Sequence, residues 1–494
     1  MKGKHVMAYH HKSLARPTTL NPMRTPSPLP LSIATFIQPA TTLADSSSRL
    51  QLDPVGPDSS LYLDLGAARG TKELGKLEVH LRNAARQPNA WAHCAFIGNR
   101  GSGKSSFLLN LEKKFAVGQV FTPVHIYLDP SLESDCEYSD LFLWMVDQIA
   151  AAFQLLGHPV DDAALSKIVI WFADKTYSSQ TEWKKEIGLE ASAEAEAKTG
   201  LPYIFSIKLL ARLKSMVSGS EATRKEIRRK AQNYASELLE LVNEFLDHAH
   251  DKLRAAGKPA RLLIVQDNLD RIRSAEKARQ LFDSGADMLL GLRADVIYTA
   301  PLAINIAPLN LANVFQHVFT MPNVKLWQQN GERHDQGVND LVKLVGKRLS
   351  VPDVFDALAT LLFLIDQSGG SVRELLRLLD EAQLDAQVDG KTQVDMASAR
   401  TAAKKLATQF VRLLQPGSAY YPILAAIHQT KRGYDPADGL ATVTTVAAAR
   451  AFFSELIGMG CVLEYNGDDS WYDVLPPVRD TLQFKDAFQK TQAN

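Results

Sequence analysis

The stretch Gly98-Asn99-Arg100-Gly101-Ser102-Gly103-Lys104-Ser105 constrains this chain more than any other. It satisfies G-x-x-x-x-G-K-[ST] and lies between a short apolar run, His93 to Ile97, that reads as a strand and a helical stretch from Ser105 to Phe115. A strand, a glycine-rich turn and a helix in that order set backbone N–H groups against a helix N-terminus, where they cradle phosphate oxygens. Lys104 is expected to reach the β- and γ-phosphates and Ser105 to offer an oxygen to Mg²⁺, with Gly98 to Ser106 forming the nucleotide-contacting loop.

Such a loop needs an acid on a nearby strand. Leu262-Leu263-Ile264-Val265 followed by Gln266-Asp267-Asn268-Leu269-Asp270-Arg271 supplies one, because the apolar run delivers Asp267 to the carboxyl edge of a strand. Val120 to Leu128 and Val296 to Thr299 read as further strands, and Tyr138 to Leu156 as an amphipathic helix. The alternation predicts an α/β fold with a parallel sheet. It is interrupted by a helical insertion over 160–258, whose last third, Glu221 to about Ala256, reads as one long helix capped by Ser218 and Glu221.

The 494 residues divide into four parts on this reading. Residues 1–58, rich in Pro and Ser, read as a disordered arm; between 1 and 50 it carries six basic residues against the single acid Asp45. An ATPase-type core over 59–337 contains the insertion, and 338–412 read as a helical lid. In 413–494 the helix Thr444 to Ile457 precedes a hairpin made by Cys461 to Tyr465 and Trp471 to Leu475, the layout of a winged helix.

The two motifs resemble those of AAA+ P-loop ATPases, and Asp267-Asn268-Leu269-Asp270-Arg271 is most similar to the spelling in STAND, KAP and origin-recognition-initiator relatives. The resemblance spans about 61 to 480. It implies ATP and Mg²⁺ as cofactors, Asp267 as the Walker B acid, Thr299 at the sensor 1 position, and Arg373, within Gly369-Gly370-Ser371-Val372-Arg373, as the sensor 2 arginine of the lid. Asn268 stands where active relatives place an acid, so slow turnover is expected unless Asp270 substitutes as the base. No arginine occurs between Thr299 and Lys325, where AAA+ rings carry an arginine finger, which argues against a hexameric motor. The resemblance therefore implies a slowly hydrolysing, nucleotide-gated switch that works as a homo-oligomer or with a separate effector protein, in bacterial relatives often in anti-phage defence. The alternative is a DNA-binding initiator or loader.

Composition bears on partners. Lys+Arg and Asp+Glu are both 55, so no global field draws the chain to nucleic acid, and any DNA contact needs a local patch. The candidate is Lys208, Arg212, Lys214, Arg224, Lys225, Arg228, Arg229 and Lys230, which share their stretch with only Glu221 and Glu226; a DNA surface and a solvated helix face are equally consistent with it. The winged-helix segment is acidic, with Arg450 and Glu455 the charged residues of its recognition helix, and is expected to pack against the core or a protein. His248 and His250, two apart, do not share a helical face and read as surface residues. Cys94, Cys136 and Cys461 form no disulfide framework or metal pair, and no apolar run approaches the ~18 residues of a membrane span, so a cytoplasmic protein is expected.

Overall fold

The computed structural model describes residues 37–493 apart from 89, 189–200, 273, 308, 416, 435–444 and 468. Five parallel strands form the central sheet: β1 (His93–Gly98), β2 (Thr122–Tyr127), β3 (Leu262–Asp267), β4 (Asp295–Pro301) and β5 (His317–Thr320), in the order β2-β3-β4-β1-β5. Because both faces are covered, the inner strands are near-continuous apolar runs; β3 is buried throughout and β4 up to Pro301. Successive residues serve opposite faces: Cys94, Phe96, Leu263 and Val265 pack with Leu108, Leu111 and Phe115 of the helix Lys104–Val117, while Ala95, Ile97, Leu262 and Ile264 join the larger core. The chain has an α/β P-loop NTPase fold, with β4 lying between the strand that feeds the glycine loop and the strand that ends in Asp267. β5 is absent from the sequence reading, since a four-residue strand with one buried residue gives almost no periodic signal.

The insertion is helical: Asp162–Thr176, Gln180–Glu186, Tyr203–Gly219, Glu221–Asn233 and Ala235–Ala255. The single long helix expected from Glu221 onward is two, divided at Tyr234, whose φ of −129° leaves the helical region. The cap also differs: Ser220 accepts the Thr223 N–H at 3.3 Å, and Ser218 lies inside the preceding helix. The basic stretch is not an open cationic face. Arg228 is buried among Asp140 (2.5 Å), Asp135 (2.6 Å) and Glu137 (3.4 Å), tying the helix Glu221–Asn233 to the start of the helix Tyr138–Leu155. Arg212 pairs with Glu186, Lys214 with Asp147, Lys225 with Glu221 and Lys230 with Glu226. Arg224 is buried and Lys208 lies over the Phe205 ring, so among the eight Arg229 alone is exposed with no intramolecular hydrogen bond, ion pair or ring contact. His250 is buried against Trp91, ring centroids 4.9 Å apart, contrary to its surface reading.

The disordered-arm expectation fails from residue 37 on; residues 1–36 lie outside the described residues. Ala40 exchanges backbone hydrogen bonds with Arg348 and Ser350, both at 2.8 Å, Leu43 and Leu50 are buried, and Ser47 donates to Asp380 on the lid. Few apolar residues suffice here because they dock into a groove that the lid provides, not into a core of their own.

After β5 come the lid helices Asp335–Gly346, Leu358–Gln367, Val372–Val388 and Met396–Leu414. The C-terminal unit holds the helices Tyr420–Thr430 and Val446–Gly458, an antiparallel hairpin of β6 (Val462–Tyr465) and β7 (Trp471–Val474), and the helix Leu482–Ala493. Its candidate recognition helix, Val446–Gly458, faces the core: the Ser454 hydroxyl donates to the Ala303 and Ala307 carbonyls at 2.8 and 3.1 Å, and Phe453, Leu456 and Ile457 are buried. Among the described residues no helix is long and apolar enough to cross a membrane.

Candidate nucleotide-binding site

The loop after β1 has the backbone its glycines permit. Gly98, Gly101 and Gly103 have φ of 152°, 87° and 102°. A Cβ on Gly98 would sit 2.4 Å from the Met321 carbonyl oxygen, and one on Gly101 2.3 Å from Arg373 Cβ, so both positions exclude side chains by space as well as by torsion. Lys104 is buried at the head of the following helix; its ammonium donates to the Gly98 and Asn99 carbonyls at 2.9 and 3.1 Å and pairs with Asp270 at 2.7 Å. Asp270, the expected substitute base, is thus committed to Lys104.

Asp267 ends β3, fully buried. One oxygen accepts the Asn268 N–H at 2.7 Å, the other faces His125 Nε2 at 3.3 Å, and the Ser105 hydroxyl hydrogen-bonds the same carboxyl. Burial alone would raise its pKa, but the bond and charge of His125, with Ser105 and Asn268, hold it below the usual carboxylate value. His125 on β2 also meets Glu112 at 2.6 Å; burial works against its charge, but the two carboxyls push its pKa up to about 10. Asn268 has φ 67° and ψ 8°, a left-handed conformation that asparagine tolerates and that costs a longer acid roughly 1–2 kcal/mol, which gives a backbone reason for the amide here.

Thr299 is not brought to the cleft. Its hydroxyl accepts the Leu269 N–H at 3.1 Å and donates to the Gln266 carbonyl at 3.4 Å, wholly buried, so it braces the turn after Asp267 and does not face the site expected of a sensor. Asn99 is likewise turned away: its amide donates to the Val462 carbonyl at 3.0 Å, and its oxygen accepts from the Glu464 N–H at 2.9 Å and from Asn323 at 2.8 Å. Ser106 accepts the Val55 N–H at 2.9 Å and so holds the N-terminal segment. Ser102 is buried, its hydroxyl without a partner among the described residues.

Arg100, Gly101, Gly103, Lys104, Ser105, Ser106, Asn268, Asp270 and Arg373 line one cleft, roofed by residues 51–66 and the lid. Arg373 reaches it from the lid, its backbone N–H donating to the Gly101 carbonyl at 3.3 Å, and the charged form of its side chain is disfavoured by burial and by Arg100 and Arg271 nearby. Sequence reasoning missed Arg69, Arg348 and the His125–Glu112 pair. Arg69 is buried, donates to the Ser102 carbonyl at 2.6 Å and to the Pro322 carbonyl, and is lowered to about 10 by burial. Arg348 donates to the Leu61 and Leu344 carbonyls, both at 3.1 Å. Neither arginine has a motif around it, but a lone polar His125 in a strand adjoining Asp267 is a signal that could have been read.

The residues fit a nucleoside triphosphate with Mg²⁺: a glycine loop too tight for a Cβ at Gly98 and Gly101, a buried lysine, and a hydroxyl and a carboxylate already in contact as hard oxygen donors. No protein-family model matches the chain, and no curated protein does. Solved structures similar to it include the Walker-type ATPase PABY2304 of Pyrococcus abyssi (15% identity, TM-score 0.41, 89% of this chain and 99% of that one). Two others are Cdc6p of Pyrobaculum aerophilum (14%, 0.38, 90% and 97%) and the Aeropyrum pernix ORC1 protein in complex with DNA (13%, 0.35, 90% and 96%).

Proposed function

We propose that this chain is an ATP-binding, slowly hydrolysing AAA+-type ATPase in which nucleotide state governs how the lid and the C-terminal unit sit on the core. One observation carries the reading: the loop 98–105 is gripped at once by Arg373 of the lid and, through Asn99, by β6 of the C-terminal unit. A phosphate entering the cradle must take Lys104 from Asp270 and meet Arg373, so binding acts on both attachments. Lys104 and the loop N–H groups bind the phosphates, and Ser105 with Asp267 would hold Mg²⁺, which when bound shields the phosphate charge. Asn268 cannot accept a proton from the attacking water, which supports slow turnover.

Two finer readings differ in the partner. A switch acting with other copies or with an effector protein, in anti-phage defence as the resemblance implies, is supported by the docked helix Val446–Gly458 and the neutralised basic stretch, which leave little cationic surface for DNA. A DNA-binding initiator or loader is supported by the succession of ATPase core, helical lid and winged-helix-like unit. Steady-state ATP turnover with and without duplex DNA, with Lys104→Ala as the blank, separates them. Slow, Lys104-dependent turnover indifferent to DNA supports the protein-partner switch; stimulation of several-fold supports the initiator; turnover equal in Lys104→Ala overturns both.

A further inference from the structure

Among the described residues the cleft is lined by more cations than carboxylates: Arg69, Arg100, Lys104, Arg271, Arg348 and Arg373 against Asp53, Asp64 and Asp270. Arg69 and Arg348 are tied to backbone carbonyls, and Lys104 is paired with Asp270. Three guanidiniums remain, each from a different element: Arg100 of the glycine loop, Arg271 at the end of the turn Leu269–Arg271 after β3, and Arg373 of the lid. The Arg373 side chain lies on Gly101, its Nε 3.0 Å from where a Cβ of that glycine would be, and Arg100 and Arg271 are near enough to act on its charge. Arg271 directly follows Asp270 in the chain, so it stands beside the carboxylate that holds the Lys104 ammonium at 2.7 Å. The Arg100 and Arg373 side chains make no hydrogen bond or ion pair among the described residues, and the Arg271 guanidinium reaches Glu133 alone, at 3.4 Å. Like charges gathered with so little compensation repel one another, and an anion between them removes that repulsion.

We propose that Arg271 binds the terminal phosphate of a nucleotide held in its own chain, the part that an arginine from a neighbouring subunit plays in ring-forming ATPases. The inference rests on the reading of Lys104 and the glycine loop as the phosphate cradle. A guanidinium suits this place because its planar fork meets two phosphate oxygens at once. Arginine fingers act in cis as well as in trans, and a cis finger agrees with the lack of any arginine between Thr299 and Lys325. One chain then completes its own triphosphate site.

The test measures, on the full chain with Mg²⁺, the affinities for ADP and for a non-hydrolysable ATP analogue. The parent is expected to favour the triphosphate. Arg271→Gln should weaken the triphosphate about tenfold, the scale of one charge-assisted hydrogen bond, and leave ADP within twofold, which also shows that the variant folds. Glu133→Gln removes the ion pair but keeps the guanidinium, so the preference should stay at the parent's level or rise. Equal affinities for both nucleotides in the parent overturn the proposal, as does an unchanged ratio in Arg271→Gln. The same loss in Glu133→Gln overturns it too, being what a merely structural role for Arg271 would give. ATP turnover per chain should stay constant as the protein is diluted; turnover that falls with dilution shows a site completed by a second copy and overturns the action in cis. A parent that binds neither nucleotide overturns the phosphate reading of the glycine loop instead.

Discussion

The side-chain oxygen of Asn99, the second residue of the glycine loop, accepts the backbone N–H of Glu464 at 2.9 Å, and the same side chain donates to the Val462 carbonyl. A residue expected to face phosphate is therefore a joint between the loop and β6. Asn99→Ala takes this partner from the Glu464 N–H and the Val462 carbonyl, while the Asn323 amide keeps the Glu464 carbonyl at 3.1 Å, a loss of about 2–6 kcal/mol at roughly 1–3 kcal/mol for each of the two unmet groups. Hydrogen exchange should then rise in β6 and β7 before it rises in the central sheet; uniform protection across both would show that the joint does not hold the unit.

Glu464 itself makes this joint pH-sensitive. Burial raises its carboxyl to about 7, against the hydroxyls of Ser470 and Tyr472, and one of its oxygens has no partner among the described residues. A raised folded-state pKa means that the folded form holds the proton more tightly. The stabilisation is complete below the ordinary value of 4.5 and is lost as pH rises through about 7, in all on the order of 3 kcal/mol. Melting curves between pH 5 and 8 should show stability falling with pH, and Glu464→Gln should flatten that slope by raising Tm at pH 8 with little change at pH 5.

Asp270 competes with phosphate for Lys104 across 2.7 Å. Asp270→Asn weakens a charge-assisted bond worth roughly 1.5 kcal/mol, so ADP affinity should rise about tenfold. Calorimetric titration measures it. Unchanged affinity accompanied by a large fall in turnover would instead make Asp270 the base that Asn268 cannot be.

Thr299→Val removes the acceptor for the Leu269 N–H and should cost about 1–3 kcal/mol, while Thr299→Ser should stay near the parent. Because the hydroxyl faces backbone, the ratio of ATP to ADP affinity should stay within twofold in both variants. Loss of that discrimination with stability intact would restore the sensor role.

Arg228 neutralises Asp135 and Asp140 from within the insertion. Arg228→Met should destabilise by about 3–5 kcal/mol in urea unfolding, since it leaves the buried Asp140 carboxylate without its ion-pair partner, although Asp135 keeps Lys277 at 3.0 Å. Affinity for duplex DNA should not change for Arg229→Ala, the exposed member of the stretch; a clear loss would reopen the DNA surface.

The strand–loop–helix that carries Gly98 to Ser105, the strand that ends in Asp267, the helical insertion and the C-terminal hairpin are legible in the chain because each is a local pattern: an apolar run of fixed period, a glycine where torsion demands one, a turn at a known offset. Tertiary structure decided which way the side chains of those patterns point. Asn99 and Thr299 sit at motif positions, yet bind β6 and the Asp267 turn, because buried polar groups take whichever partners the packing brings within 3 Å. Arg69 and Arg348 join the cleft, and Glu112 and His125 reach Asp267 behind it, from positions outside the two motifs, and residues 37–58 become ordered against the lid and the helix that follows the glycine loop. Long-range pairs of this kind depend on strand order and crossover, which bring together residues such as Asn99 and Glu464, 365 positions apart. No local period in the chain encodes that separation.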